Sequence, residues 1–385
     1  MLEEHRLVCG APDDTTVIYR MMPEGSRFRF TKAAWQTALP FIIFADFECL
    51  TKTIHNQKNH TLYYQEHIPS EAALVVSAPG HRLDGHFEHF VGPTCAAQFI
   101  QAVGTLAGRL IRELLKHEPV AMSAADRAAF NSAASCHVCG HRFTTDAQDK
   151  YEHKVIDHDH VTGRFKGAAH TRCNLLLRQM YRVPVVFHNL KKYDGHIVTM
   201  AAAKYDEALS VIGESLESYK CISMGKDVVF IDSLAFLGVS LAALVEGLKR
   251  SGEAKFTLTK RLFPEDASRA LLLRKGVFPY DYVNTWDRLT EQQLPPIDEF
   301  YNRLTDKKCS PADYEHAKQV WAAFNCQSLQ DYQSLYIKSD VVLLADCFTE
   351  HRYHSHTHMI FDSTTSFIVV VVVAYMITTH VAPML

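Results

Sequence analysis

Asp46 and Glu48, two carboxylates one residue apart, close the apolar run Phe41-Ile-Ile-Phe-Ala. On a strand, residues i and i+2 point to the same face, so both charges are delivered to one side of a sheet. Burying that face is costly unless cations meet the charges. Two later segments extend the set. Asn189-Leu-Lys-Lys-Tyr193-Asp194 lies at a strand-to-helix junction, and Tyr336-x-x-x-Asp340 has the spacing that puts tyrosine and carboxylate on one helical face. Four carboxylates and a tyrosine suit two-metal phosphodiester hydrolysis, in which acids flank ions about 3.5–4 Å apart. One Mg²⁺ or Mn²⁺ helps form hydroxide and the other stabilises the leaving 3′ oxygen. Asp46, Glu48, Asp194 and Asp340 are the expected metal ligands, and the Tyr336 hydroxyl is expected to orient the attacking water.

A second cluster offers different chemistry. Cys136-His-Val-Cys139 and His170-Thr-Arg-Cys173 are two x₂-spaced pairs, the pattern from which a tetrahedral Zn²⁺ takes two knuckles. A closed Cys₃His set implies a structural ion. His137 and His141 compete as ligands, but their adjacent spacing suits the ion less well. Cys9, Cys49, Cys95, Cys221, Cys309, Cys326 and Cys347 are scattered, as expected in a reducing compartment. The start, Met1-Leu-Glu-Glu-His-Arg, lacks the basic and apolar regions of a secretory signal. The expectation is an intracellular protein of nucleus or cytoplasm.

FADFECL, FHNLKKYDGH and YIKSDVVLLADCF resemble the three exonuclease motifs of family B DNA polymerases. The nearest resemblance is to the protein-primed branch of viruses, linear plasmids and Polinton-type transposons. It implies a ribonuclease-H-like α/β exonuclease domain, a mixed sheet flanked by helices, that removes nucleotides 3′→5′ from single-stranded DNA. It also implies that Asn189, with Lys191 beside it, contacts the 3′ end. Between the zinc pairs, Asp157-His158-Asp159-His160, followed by Asn174 after Cys173, resembles the recombination endonuclease VII branch of the His-Asn-His nucleases. That resemblance implies a ββα-metal fold in which Asp157 and Asn174 bind one divalent ion. His158 would be general base and His160 a phosphate or metal contact. His170 stands where that branch usually has cysteine. Arg164, Lys166, Arg172 and Arg178 are candidate phosphate contacts.

These sites need elements to hold them. At 385 residues the chain has room for two or three domains and a sizeable core. The net charge of −3 gives no general basicity. Between Gly140 and Lys192, however, ten Lys/Arg face five Asp/Glu, a local field to which phosphate would respond. We expect an N-terminal region and first exonuclease part at 1–135, the zinc insertion at 136–182, a second exonuclease part at 183–350 and an apolar tail at 351–385.

Strands are expected at 41–46, 72–77, 85–91 and 183–187, with a hairpin at 219–224 and 228–231. Residues 51–65 read as a polar loop, and 251–328 as loop-rich. Helices are expected at about 33–39, 93–116, 123–134, from 194, 241–250 and 331–348. The tail run FIVVVVVAYM spans ten residues, short of the roughly 20 a membrane helix needs, so no membrane partner is expected. Five consecutive valines make it an aggregation hazard if exposed.

The polymerase palm motifs do not follow the third exonuclease motif. Asp331-Tyr-Gln-Ser-Leu-Tyr336 imitates one of them, but lacks the preceding apolar strand and the following Pro-Ser. The expected partners are therefore single-stranded or primer-template DNA, with a polymerase half or a terminal protein supplied separately. Catalysis by the endonuclease-like insertion, or a catalytically silent DNA-binding remnant, are the rival readings.

Overall fold

The structure is a computed structural model that describes residues 39–58, 61–144, 149–176, 182–205, 208–215, 218–303 and 306–357. The expected helix at 33–39 and the apolar run 367–376 lie outside these residues. Among the described residues, no helix is long and apolar enough to cross a membrane.

Among the described residues, nine strands form two sheets. β1 (Ile42–Lys58) and β2 (Thr61–Ser77) make a long antiparallel hairpin, and β3 (Phe87–Val91) adds to the outer side of β2. β6 (Val183–Phe187) and β9 (Val228–Asp232) lie parallel beside β1, followed by antiparallel β8 (Ser218–Met224) and β7 (Leu209–Ser215). The order in this seven-stranded sheet is β3-β2-β1-β6-β9-β8-β7. The second sheet is the antiparallel pair β4 (Lys154–His158) and β5 (Phe165–His170).

Alternation along β1 sorts its side chains between two cores. Phe41, Ile43, Ala45 and Phe47 pack with α1 (Cys95–Leu114) and α4 (Asp194–Ala202) on one face. Ile42 and Phe44 pack on the other, with α6 (Leu241–Ser251), α7 (Thr257–Leu262) and α11 (Leu329–Thr357). The result is three layers, helices on both sides of a mixed sheet. Such a period-2 strand, apolar on both sides, belongs in the middle of a sheet. Continuing the alternation, Asp46 and Glu48 fall on the α11 face just beyond its last apolar residue.

Several expectations are corrected. Residues 51–58 and 61–65 are strand and not loop: Thr51↔His67, Lys52↔Glu66 and Thr53↔Gln65 continue the β1–β2 ladder. Pairing there follows the backbone, and polar side chains on a partly solvated hairpin do not oppose it. The region 251–328 contains α7, α8 (Asp266–Leu272), α9 (Trp286–Leu289) and α10 (Pro311–Ala323). Leu272, Phe278, Val283, Phe300 and Val320 give that region a core of its own, shared with Tyr332 and Tyr336 of α11. β7 was not anticipated from its sequence, LSVIGES, which is short and Gly-interrupted. Finally, α11 runs to Thr357, past the helix end expected at 348. The remaining helices among the described residues are α2 (Ala124–Ser132), started by the Ser123/Asp126 capping box, α3 (Thr171–Leu176) and the one-turn α5 (Leu234–Leu237).

Candidate functional site

Three elements bring the acids together. β1 supplies Asp46 and Glu48, the first turn of α4 supplies Asp194, and α11 supplies Tyr336 and Asp340. Glu48, Asp194, Tyr336 and Asp340 are buried, while Asp46 is half-buried. Their fields overlap. Burial, and then the nearby Asp340 carboxylate, push the Asp46 carboxyl up to about 7, against Lys275 and the Phe47 N–H. Glu48 is raised well above the ordinary range by burial, then by Asp46 and Asp340. Asp194 is raised likewise, by burial and then by Asp46. Like charges crowded away from water hold protons, and a divalent cation would replace those protons.

Lys275 supplies an ammonium that Asp46, Glu48 and Asp194 feel in common, and the sequence reading missed it. Its Nζ donates to Asp340 Oδ2 at 2.9 Å and lies 5.7 Å from the centre of the Tyr336 ring. Burial works against its charge, but Asp340, Tyr280 and Asp46 outweigh that and raise its pKa. At the neighbouring Gly276 a Cβ would meet Tyr336 Cδ2 at 2.7 Å, so the chain carrying Lys275 must approach the tyrosine with no side chain there. Tyr336 OH shares a hydrogen bond of 2.6 Å with Tyr280 OH. Burial lifts the Tyr336 pKa well above its ordinary value, so the phenol stays protonated.

Whether these residues suit metal ions can be judged from their unused acceptors. Asp194 Oδ1 and Asp340 Oδ1 are buried without a hydrogen-bond partner. A buried carboxylate oxygen without a donor is costly, and here two sit in one acidic cluster. The donor set is all oxygen, as hard cations prefer. The carboxylates thus fit divalent cations. They are set more widely than a single-ion cage. Among the described residues, only Cys136, Cys139, His170 and Cys173 gather three or more ligand atoms compactly, all within 4.8 Å of one another.

That second set lies in the insertion, where β4 and β5 pack against α3. Cys136, His170 and Cys173 are buried and Cys139 is half-buried. His170 Nδ1 faces Cys139 Sγ at 3.4 Å and Cys173 Sγ at 4.0 Å, while its Nε2 meets the Arg142 carbonyl at 3.3 Å. The outer contact fixes the ring so that Nδ1 is the ligand atom. Burial opposes the Cys136 thiolate, yet the N–H groups of Cys139, His170 and Val138 hold its thiol down at about 7. A thiolate poised this way can hold a structural ion such as Zn²⁺. His137, the competing candidate, instead turns its Nε2 to Asp157 Oδ2 at 2.8 Å.

The remaining candidates are distributed as follows. Asp157 is buried at the end of β4 and bonded to His137; Asn174, half-buried, follows Cys173 on α3. The His158 ring lies against that of His160, with centroids 4.8 Å apart. Three expected phosphate contacts are paired within the chain: Lys191 with Glu214, Arg172 with Glu152 at 3.0 Å and Lys166 with Asp159 at 3.8 Å. Arg164 is exposed and adds to the field around Asp126. Arg178 lies outside the described residues.

Asn189 stands at φ +91°, a conformation in which asparagine is among the better tolerated side chains. Asp232, also missed from sequence, holds this turn: its carboxylate accepts the N–H groups of Asn189, Lys191 and Leu234, each at 2.9 Å. No family model, curated protein or solved structure matches the chain.

Proposed function

We propose that this chain is a two-metal 3′→5′ exonuclease acting on single-stranded DNA ends, the proofreading-type portion of a family B DNA polymerase-like protein. The observation that carries the reading is the convergence of Asp46, Glu48 and Asp194, each with its carboxyl pKa raised, on Asp340, with buried oxygens of Asp194 and Asp340 left unpartnered, beside Tyr336 and Lys275. The resemblance of the three motifs supplies the substrate class.

Asp46, Glu48, Asp194 and Asp340 would hold Mg²⁺ or Mn²⁺. Ions so held supply water activation and neutralise charge on the reacting phosphate. The residues do the rest. The Tyr336 phenol, kept protonated and aimed by Tyr280, is a fixed donor that orients the incoming water. Lys275 offers a permanent positive charge where negative charge accumulates on the phosphoryl oxygens. The Asn189 turn, fastened to Asp232, presents the amide that would grip the penultimate part of the strand. The structural Zn²⁺ of the Cys₃His set would hold the insertion together.

The test uses the zinc-replete full chain with 5′-labelled single-stranded DNA and Mg²⁺, alongside Asp46→Ala/Glu48→Ala and His158→Ala variants. A ladder of shortened products that disappears only in the carboxylate variant supports the proposal. Internal cuts of circular DNA that disappear only with His158→Ala would transfer the activity to the insertion. DNA binding without any cleavage would leave a silent binding remnant.

A further inference from the structure

A group of imidazoles lies where the insertion meets the main body, and one member, His117, comes from outside the insertion. After α1 ends at Leu114, the chain crosses to α2 through residues 115–122. His117 sits there at φ +49°, a left-handed conformation in which histidine is enriched over most side chains. The segment is fastened to the loop after β4. Glu118 N–H donates to the His160 carbonyl and Ala121 N–H to the Gly163 carbonyl, both at 2.8 Å.

The loop itself is equally fixed. Asp159 Oδ1 accepts the N–H groups of Val161 and Thr162, at 2.8 and 3.0 Å. Gly163 is at φ +71°, and a Cβ there would meet the Pro119 carbonyl oxygen at 2.5 Å. The backbones of His117 and His160 are therefore locked to one another before their side chains are considered.

Those side chains face each other. His117 Nδ1 and His160 Nδ1 are 3.0 Å apart, with the rings edge to face. Two imidazole nitrogens at this distance are joined either by one shared proton or by one ion. Neighbouring ligands of a tetrahedral Zn²⁺, each about 2.0–2.1 Å from the metal, stand about 3.3 Å from one another, a few tenths of an ångström more than here. The His158 ring lies tilted on His160 with centroids 4.8 Å apart, which sets a third imidazole beside the pair.

We infer that His117 and His160, completed by His158, form a second transition-metal site that takes Zn²⁺ or a comparable borderline divalent ion. Neutral imidazole selects such ions over Mg²⁺ or Ca²⁺, which require oxygen. The site shares no residue with the Cys₃His set and none with the carboxylate cluster. Bound there, the ion ties the segment after α1 to the insertion and fixes the insertion's orientation on the sheet. It also engages His158 as a ligand, which would withdraw that ring from acid–base work.

The experiment compares the full-length protein with His117→Asn and His160→Asn variants, all loaded at the Cys₃His set and kept in excess Mg²⁺. Asparagine tolerates the left-handed backbone of His117, so the first variant should fold. Zinc uptake is followed by titration calorimetry. Cobalt substitution reports the thiolate set separately, through its sulfur-to-cobalt charge-transfer band. The expected result is one zinc equivalent fewer in both variants with the thiolate band unchanged, and, in crystals, a zinc anomalous peak between the His117 and His160 rings. Histidines elsewhere contribute equally to all three proteins and cancel. Equal zinc uptake by the three proteins, or an anomalous signal confined to the Cys₃His set, would overturn the inference.

Discussion

Lys275 Nζ lies 2.9 Å from Asp340 Oδ2, so the acidic cluster contains a counter-charge supplied by a segment that none of the three motifs includes. Asp340 spends one oxygen on this contact and leaves the other without a partner. Lys275→Met should keep the fold, because the stem of the side chain is retained, and should remove a fixed charge from the reacting region. We expect exonuclease turnover to fall about 100-fold, the scale seen when one electrostatic stabiliser is deleted. Lys275→Arg should recover part of it. A single-turnover rate for Lys275→Met within twofold of the parent would show that the lysine only neutralises Asp340.

Protons and cations compete for the same acids, which fixes a pH dependence. The Asp46 carboxyl rises to about 7 in the folded protein, against about 4 in an unfolded chain. The native state therefore binds more protons than the unfolded state between these values. By linkage, stability of the metal-free protein falls as pH rises from about 4 to about 7. Divalent cations reverse the sign of the effect by favouring the ionised acids. Thermal melts at pH 5 and pH 8 should show Mg²⁺ stabilising the protein much more at pH 8, and calorimetry near pH 6 should detect proton release on Mg²⁺ binding. Equal stabilisation at both pH values would place the cation elsewhere.

The parts of the site that sequence made legible are those encoded locally. Asp46 and Glu48 share a face because they are two apart on a strand, and Tyr336 and Asp340 because they are four apart on a helix. Cys136, Cys139, His170 and Cys173 were legible as paired knuckles for the same reason. Lys275, Tyr280 and Asp232 depend instead on how distant segments return to the sheet. Thr51 fixes the Tyr280 segment through its N–H to the Val283 carbonyl (3.1 Å) and its hydroxyl to the Tyr280 carbonyl (2.8 Å), a link across more than 200 residues. No local pattern carries it. The polar side chains of the β1–β2 arms carry a loop-like sequence pattern, while the ladder that pairs the arms lies in the backbone and leaves no mark on side-chain polarity.

Zinc removal should separate the insertion from the sheet. The buried apolar cluster around the Cys₃His set is small: Cys136, Ala169 and Cys173, with Val138, Cys139 and Phe143 against it. A cluster of that size does not hold a hairpin and one short helix without a cross-link, so an ion held by the Cys₃His set would contribute most of the local folding energy. In Cys139→Ser, or after chelation, amide hydrogens of β4 and β5 should lose protection while those of β1, β6 and β9 keep theirs. Retained protection in β5 without metal would show that packing alone suffices.

Two glutamates opposite each other on β1 and β2, Glu48 and Glu71, should respond to removal with opposite signs. Glu71 is fully buried, and its Oε2 accepts the side-chain amides of Gln330 (3.0 Å) and Gln333 (2.9 Å), while its Oε1 contacts His89. Gln333 also reaches Ser70 Oγ at 2.9 Å, so this corner of β2 fastens α11 one turn before Tyr336. Glu71→Ala strands those donors and should cost about 3 kcal/mol, read as a lower urea midpoint with an unchanged slope. Glu48, by contrast, sits where burial and its acidic neighbours keep its carboxyl well above the ordinary range. Glu48→Ala relieves that repulsion, so the metal-free variant should be as stable as the parent or more so, while Mg²⁺ loses its stabilising effect. A carboxylate kept for the fold loses stability when deleted, and one kept for a cation loses only the cation's contribution. Destabilisation of both variants by similar amounts, with Mg²⁺ stabilisation intact in each, would assign Glu48 to the fold and remove it from the metal set.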